Sequence, residues 1–411
     1  MNMGLNAAAN ETLPLAGLTV LDFSRFLPAQ ICTWMLADFG ARVIRVENPR
    51  EVAKLAAAFN LTSLGDAQRE RAKAAETLAR NKESIVVDLG HRDALDVLRP
   101  LLCSADVVVE DYRPGVLARL GFGAHALRGI NPRLHYCSVS FAGQTGPYRS
   151  RPGHDQLALA LSGVLSRIGE DAGRPSFPNV PIADVVTGLN AAIGVLLARA
   201  GERHDAQGRD IDVSMLESSL MFAAWFLARH PDPDRVPPRG AHRIDCGIWK
   251  TRDGGFLCTT NIEPRFWERF CHAIGRADFG ARQHASAQWP EMRAEIARIM
   301  ATRDRDEWLA LFEREEVQAA AVHEFHEALD DPHCNERGMT LPIALGDADP
   351  VVQIGNPVKL SGAAVSVRRR GEAPGASTEP VLEDFGFTPE QIAAFADAGA
   401  IGTARTPHRG E

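Results

Sequence analysis

The chain has 411 residues, of which 45% are hydrophobic and 24% charged, and its formal net charge at pH 7 is −8. This length exceeds one ordinary domain, so we expect two domains or one elaborated domain with a large core. The acidic charge argues against nonspecific nucleic-acid binding, and the longest apolar run, 189–200, is too short to span a bilayer.

The cysteines and the amino terminus indicate the compartment. Seven scattered cysteines without C-x-x-C spacing predict reduced thiols rather than disulfides or a zinc site, and we expect no metal. The first 17 residues lack the basic region followed by an apolar region that is typical of a signal peptide. We therefore expect a cytoplasmic protein.

The first half of the chain alternates short β-rich runs with apolar-periodic helices. Strands are predicted at 18–23, 42–47, 84–89, 106–110, 134–140 and 209–213, and helices at 29–39, 94–102, 116–120, 188–203 and 216–229. This order predicts an α/β fold whose parallel sheet has helices on both faces. Ligands bind such sheets at the carboxyl ends of the strands, here 24–28, 111–115 and 141–147.

Two segments of this half need separate comment. The first strand leads into SRFLPAQ rather than G-x-G-x-x-G, which argues against nicotinamide or flavin binding in the usual mode. Residues 51–80 form a polar, alanine-rich excursion that is predicted to be helical, and the sequence gives it no role.

The second half begins after a proline-rich stretch, 230–240, which predicts a linker. A hairpin is predicted around Asp253-Gly254-Gly255, with strands at 247–252 and 256–260 and helices after them near 265–274, 290–301 and 304–313. We expect a second, smaller domain over about 240–325. The tail from Gly338 returns to short strands and ends in a helix at 389–396.

The stretch 149–184 contains the best candidate catalytic groups. His154 and Asp155 follow Pro152-Gly153 at the start of a predicted helix, and Asp184 opens the next helix. The positive end of a helix stabilises a carboxylate and lowers the proton affinity of an imidazole, so either group could act as a base. The alternative is that both aspartates are ordinary helix caps and His154 is a surface histidine.

Several stretches together resemble one enzyme superfamily. They are 15–49, 80–89, 105–123, 131–155 and 208–220. Over these stretches the chain is similar to the family III CoA-transferase and α-methylacyl-CoA racemase superfamily of the CaiB/BaiF type. The resemblance implies a Rossmann-like large domain made of residues 1–225 and 331–411, a smaller α+β domain of residues 226–330, and an interlocked homodimer. It also implies an acyl-CoA substrate, with coenzyme A as part of the substrate and no tightly bound cofactor.

Within the superfamily the resemblance is greater to the racemase branch. Gly153-His154-Asp155 matches the racemase G-H-D, in which the histidine is one base, and Asp184 matches the second base. Ile262-Glu263-Pro264 matches a segment whose glutamate hydrogen-bonds that histidine; taken alone, Glu263 is equally well a solvated helix-start carboxylate. A racemase removes a proton from one face of the α-carbon and returns one to the other, so it needs two bases.

The transferase branch remains the alternative. The resemblance places its nucleophile at Asp155, which would carry coenzyme A as an aspartyl thioester between two carboxylic acids. Formyl-CoA transferases have a glycine-rich loop in the small domain, and this chain has only Gly254-Gly255 there. A third interpretation is a relative that binds acyl-CoA without turnover, against which the intact candidate residues argue.

The resemblance also implies contacts with coenzyme A. The family often has an arginine where this chain has Asn48, and Arg50 is the substitute that the sequence offers. Arg113 and Arg119 fit family contacts, although exposed arginines are commonly just solvated. We also expect Asp111 and Tyr112 to contact coenzyme A, because they directly follow a predicted strand.

Overall fold

The structure, a computed structural model, describes residues 13–58, 64–169, 174–232, 234, 236, 243–346 and 348–403. The amino-terminal tail and part of the predicted linker, 233, 235 and 237–240, lie outside the described residues, as do residues 59–63 of the alanine-rich excursion.

The first half of the chain contains the alternating elements that the sequence predicts. They are β1 (Thr19–Phe23), α1 (Leu27–Asp38), β2 (Arg42–Glu47), α2 (Pro49–Ala58), α3 (Asp66–Ala75), β3 (Lys82–Val87), α4 (Ala94–Ser104), β4 (Val107–Glu110), α5 (Val116–Arg119), α6 (Ala124–Ile130), β5 (His135–Ser140), α7 (Asp155–Leu161), α8 (Ile182–Gly201), β6 (Asp210–Ser214), α9 (Met215–Leu220) and α10 (Ala223–Arg229). The helix predicted over 216–229 is divided, because Met221 and Phe222 interrupt it between α9 and α10.

The remaining elements follow the linker. They are β7 (Cys246–Lys250), β8 (Phe256–Thr260), α11 (Pro264–Ala273), α12 (Trp289–Met300), α13 (Arg305–Arg314), β9 (Ala319–Ala321), α14 (Phe325–Asp330), α15 (Pro332–Glu336), β10 (Thr340–Leu345), β11 (Ala348–Ile354), α16 (Thr378–Asp384), α17 (Pro389–Asp397) and β12 (Ile401–Gly402). The predicted hairpin is confirmed as the antiparallel pair β7 and β8, with Gly254 at a φ of +87° in the turn.

A seven-stranded sheet forms the centre of the α/β fold. Its strand order is β12-β3-β2-β1-β4-β5-β6, and every neighbouring pair is parallel except β12 and β3. Val107 and Val109 of β4 pack in one hydrophobic cluster while Val108 packs in another, because alternate residues of a strand point to opposite faces. Both faces are therefore covered, as the uninterrupted apolar run of β4 predicts.

The chain divides into two compact units. The first contains the described residues of Met1–Leu165, Phe177–Pro231 and Glu336–Glu411, and includes the seven-stranded sheet. The second contains those of Ser166–Ser176 and Asp232–Asn335, with the three-stranded sheet β7-β8-β9. An aromatic cluster that includes Trp267, Phe270, Trp308 and Phe312 forms the core of the second unit.

One described helix, α8, is long and apolar enough to cross a membrane by length and composition. Ala191, Ala192 and Val195 on its buried face belong to a core cluster of the first unit, together with residues of α1 and the central strands. Core helices of soluble proteins commonly have this length and composition, so a single helix of this kind is weak evidence for a membrane span.

Candidate active site

A cavity of about 950 Å³ lies in the first unit, at the carboxyl ends of β1, β4 and β5. The residues that line it include 25–28, which span the loop after β1 and the start of α1, and the loop residues 111–114 after β4 and 151–154 after β5. These are the strand ends at which the parallel sheet predicts a ligand site. All of the lining residues belong to the first unit.

His154 and Asp184 both line this cavity. His154 is the exposed residue directly before α7, with extended backbone at a φ of −132°, and Asp184 lies in the first turn of α8. Close packing of α8 on the start of α1 requires Gly188, since a methyl group there would lie 2.5 Å from the Pro28 carbonyl oxygen. Two helix starts therefore present a candidate base each to one cavity.

The two aspartates of the site differ in their surroundings. Asp155 is 3% exposed and does not line the cavity; its Oδ2 accepts a hydrogen bond of 3.0 Å from the backbone N–H of Asp184. Its Oδ1 is buried and has no hydrogen-bond partner among the described residues. Burial, and secondly the negative charge of Asp155, raise the pKa of Asp184 to about 6. Asp184 is thus the carboxylate that faces the cavity, and its raised pKa lies closer to neutral pH than that of an ordinary aspartate.

The predicted coenzyme A contacts are only partly brought together. Asp111, Tyr112 and Arg113 line the cavity, whereas Arg50 and Arg119 are not among the lining residues. Arg50 is exposed and lies 3.6 Å from a carboxylate oxygen of Asp88. The Arg119 guanidinium lies near Gly115: a Cβ atom added to Gly115 would be 3.6 Å from the Arg119 Nη1.

Asp111 and Tyr112 are both engaged within the protein. The Asp111 carboxylate accepts hydrogen bonds from the backbone N–H groups of Arg25 and Phe26 and from the Arg25 side chain. Tyr112 is 6% exposed, and the Arg25 guanidinium lies over its ring at 3.8 Å from the centroid. Both residues therefore hold loops of the cavity wall together.

The sequence did not single out several residues that line the cavity. They are Arg25, Glu51, Phe141, Arg149, Arg151 and Met215. Arg25 lies two residues after the end of β1, and Arg149 and Arg151 lie in the loop just before Pro152-Gly153, so position near a strand end was the available signal. Glu51 gives the excursion after β2 a place in the site, because it pairs with Arg25 at 3.3 Å.

Glu263 belongs to the second unit. It directly precedes α11, with Pro264 in the first turn of that helix, and its side chain makes no capping hydrogen bond. Gln283 fixes the segment, since its Nε2 donates 2.7 Å hydrogen bonds to the Ile262 carbonyl oxygen and to the buried Asp245 carboxylate. The pairing of Glu263 with His154 stays a prediction.

Comparison with known proteins places these observations in a family. The sequence profile of CoA-transferase family III matches residues 15–378. The chain is 32% identical to human α-methylacyl-CoA racemase, over 92% of this chain and 95% of that protein. It is 31% identical to the succinyl-CoA–L-malate CoA-transferase β subunit of Chloroflexus aurantiacus, over 93% and 96%. The crystal structure of a CAIB/BAIF family protein from Brucella suis has the same fold, with a TM-score of 0.78 at 24% identity, and covers 91% of this chain and 100% of that one.

Proposed function

This chain belongs to CoA-transferase family III, and from that premise we propose that it is an α-methylacyl-CoA racemase-like enzyme. It would move a proton at the α-carbon of a 2-methyl-branched acyl-CoA through an enolate. The observation that carries the proposal is that His154 and Asp184 line one cavity from two different helix starts.

The chemistry needs the two bases to hold one proton between them. One base removes the α-proton while its partner, already protonated, delivers a proton to the opposite face; the reverse reaction exchanges their roles. An aspartate with an ordinary pKa near 4 would seldom hold a proton at neutral pH. The pKa of Asp184, raised to about 6 by burial and by Asp155, makes that carboxylate able both to accept and to return it.

The edge of the cavity is suited to the anionic part of a coenzyme A thioester. Arg113, Arg149 and Arg151 line the cavity and are exposed. Within the described part of the chain, no carboxylate forms an ion pair with any of the three. Guanidinium groups bind phosphate oxygens through paired hydrogen bonds, so these side chains can take up the phosphates of coenzyme A. No tightly bound cofactor is part of this proposal.

The test is incubation of the protein with a single enantiomer of a 2-methylacyl-CoA in D₂O. Racemisation predicts that deuterium enters the α-carbon and that optical purity is lost. The rate of each process should be the same with and without an acceptor carboxylic acid. Coenzyme A transfer that depends on the acceptor, without deuterium at the α-carbon, would contradict the proposal.

A family III CoA-transferase is the second candidate, because a transferase relative is almost as similar as the racemase. Transfer passes through a covalent aspartyl-CoA thioester and needs a carboxylate that reaches the substrate. Asp155, the position that the resemblance suggested, is 3% exposed and outside the cavity lining, whereas Asp184 lines the cavity. Peptide mass analysis after hydroxylamine treatment during turnover would locate such an adduct.

We further propose that two copies of the chain associate as an interlocked homodimer. A group of large apolar side chains on α8, α9, α10 and the residues between the last two is exposed in the single chain. The group comprises Val185, Leu189, Ile193, Leu196, Leu197, Leu220, Met221, Phe222, Trp225 and Leu227. A patch of this kind is commonly covered by a partner. A single-chain mass in sedimentation equilibrium would contradict the dimer.

The cytoplasm is the location that we propose. All seven cysteines are free thiols, and Cys32, Cys137 and Cys271 are buried. Reduced cysteines are typical of proteins in the reducing compartments of the cell.

A further inference from the structure

Asp111 connects two loops of the cavity wall that are 86 residues apart in sequence. Its carboxylate accepts the backbone N–H of Phe26 at 2.7 Å, the backbone N–H of Arg25 at 2.9 Å and the Arg25 Nε at 3.1 Å. The Arg25 Nη2 donates to the Asp111 carbonyl oxygen at 3.0 Å. The loop after β1 is therefore fixed to the loop after β4 through both backbone and side chains.

The positive charge of Arg25 is balanced by groups of the protein itself. Besides Asp111, its guanidinium pairs with Glu51 at 3.3 Å and lies over the Tyr112 ring. A cation that already has two carboxylates and an aromatic face has little charge left for a ligand. Arg25 therefore has a structural role: its contacts with Asp111 fix the loop that carries its neighbour Phe26 in the cavity wall.

The Phe26 ring contacts the imidazole of His154. The two ring centroids lie 5.8 Å apart with an interplanar angle of 78°, which is an edge-to-face arrangement. Phe26 is 39% exposed and lines the cavity, so part of its ring packs against the protein and the rest faces the cavity.

Phe141 fixes the backbone before the histidine. A methyl group at Gly153 would lie 2.2 Å from the Phe141 ring, so the ring packs directly on the glycine backbone. Phe141 is 8% exposed, and it follows β5, a strand whose register is set by pairing with β4 and β6. The backbone that leads into His154 is thus held by one aromatic ring, and its imidazole contacts a second.

We propose that Phe26 and Phe141 are positioning residues for His154, and that the Arg25–Asp111 contact holds Phe26 in place. The inference deepens the proposed function, because it concerns the histidine base on which racemisation depends. An exposed imidazole can rotate about two bonds, and only some of its orientations point a nitrogen at the α-carbon. An edge-to-face contact restricts that rotation without removing the hydrogen-bonding capacity of either nitrogen.

The experiment compares three variants at one partly exposed position: Phe26→Ala, Phe26→Leu and Phe26→Tyr. With a 2-methylacyl-CoA in D₂O, Phe26→Ala and Phe26→Leu should lower kcat for α-proton exchange about tenfold, with KM within about twofold of wild type. Phe26→Tyr should restore kcat, because it keeps the aromatic edge, whereas leucine only fills the volume. A leucine variant as fast as wild type would show that bulk suffices and would overturn the inference.

A second measurement does not depend on turnover. The protein is labelled with ¹³C-histidine, and the resonances of the carbon-bound imidazole protons of His154 are identified by their loss in His154→Gln. These protons sense the ring current of Phe26. At least one of the resonances should move in Phe26→Ala and Phe26→Leu and should lie at its wild-type position in Phe26→Tyr. Failure of all of them to move would overturn the inference, as would a normal kcat in Phe26→Ala.

The two measurements separate this inference from the proposed function. If the wild-type protein exchanges no α-proton, the proposed racemase function fails, and the resonance alone then decides whether the Phe26 ring contacts the His154 imidazole. If the wild-type protein exchanges and the three variants do not differ, the racemase stands and the positioning role fails.

Discussion

Two clusters of ionisable groups in the first unit differ in how completely they are paired. At the end of α1, Asp38 and Arg80 are both 0% exposed, and Asp38 accepts hydrogen bonds from Arg80, Asn81 and Asn356. At the cavity, the described residues provide no partner for one buried oxygen of Asp155 and no side-chain donor to the Asp184 carboxylate.

The difference separates stability from chemistry. A buried ion pair that satisfies all of its hydrogen-bonding groups offsets the cost of removing charge from water and specifies how distant segments meet. Two neighbouring carboxylates with too few donors are instead unfavourable for folding, and such arrangements are enriched at active sites. The Asp38 cluster ties the returning carboxyl-terminal segment to α1, whereas the Asp155 and Asp184 pair keeps a carboxylate ready to exchange a proton.

The largest expected effect comes from removing either base of the cavity. His154→Ala and Asp184→Asn should each lower α-proton exchange by about 10²–10⁴-fold, because each deletes a group that transfers the proton. Coenzyme A binding should remain nearly intact, since neither variant touches Arg113, Arg149 or Arg151. Deuterium incorporation measured by mass spectrometry, with binding by calorimetry, checks both expectations. A His154→Ala protein that still exchanges the α-proton would remove the two-base mechanism.

The paired cluster should respond in stability instead. Arg80→Ala leaves Asp38 as an uncompensated buried charge and should lower the free energy of unfolding by about 3–5 kcal/mol. Urea unfolding measures the loss. Arg92→Ala is the matched control, because that arginine side chain is 87% exposed, and it should change stability by less than about 0.5 kcal/mol. Equal effects of the two substitutions would show that burial of the Asp38 pair contributes nothing.

The degree to which the sequence predicts these features follows from the range of the interactions. The strand β2 and the starts of α7 and α8 were predictable, because apolar runs and the Pro-Gly turn are local signals. The role of Asp111 was not predictable, since it depends on Arg25, 86 residues away, and a carboxylate after a strand looks the same whether it binds a ligand or a loop. The two-residue strand β12 carries no periodicity, so its antiparallel pairing with β3 could not be foreseen.

The exposed arginines that line the cavity allow a finer test. Arg113→Glu should raise the Michaelis constant for an acyl-CoA about tenfold, or roughly 1.4 kcal/mol, because a repulsive charge replaces a phosphate ligand. Arg92→Glu is again the control and should leave the Michaelis constant unchanged. The sensitivity of the Michaelis constant to salt should also fall in Arg113→Glu. Unchanged affinity for free coenzyme A would show that Arg113 takes no part in binding.

The smallest change is expected from Asp155→Asn, and it tests how the two carboxylates are coupled. Asparagine keeps an oxygen that can accept a hydrogen bond from the Asp184 N–H, so the rate of α-proton exchange should stay within about fivefold of wild type, the magnitude of a cap contact.

Asp184 must be ionised to remove a proton, and with its pKa near 6 the wild-type rate of that step should fall as the pH drops below about 6. The substitution removes the negative charge that helps to raise this pKa, so the acidic limb of the pH profile should move to lower pH. Burial is the larger cause and remains, so the pKa should stay above the ordinary value of 3.8. Rates of deuterium incorporation between about pH 4 and pH 8, a range of about two units on either side of the limb, locate it in both proteins. An acidic limb at the same pH in Asp155→Asn would show that the two carboxylates are not coupled, and complete loss of exchange would make Asp155 itself a participant in the chemistry.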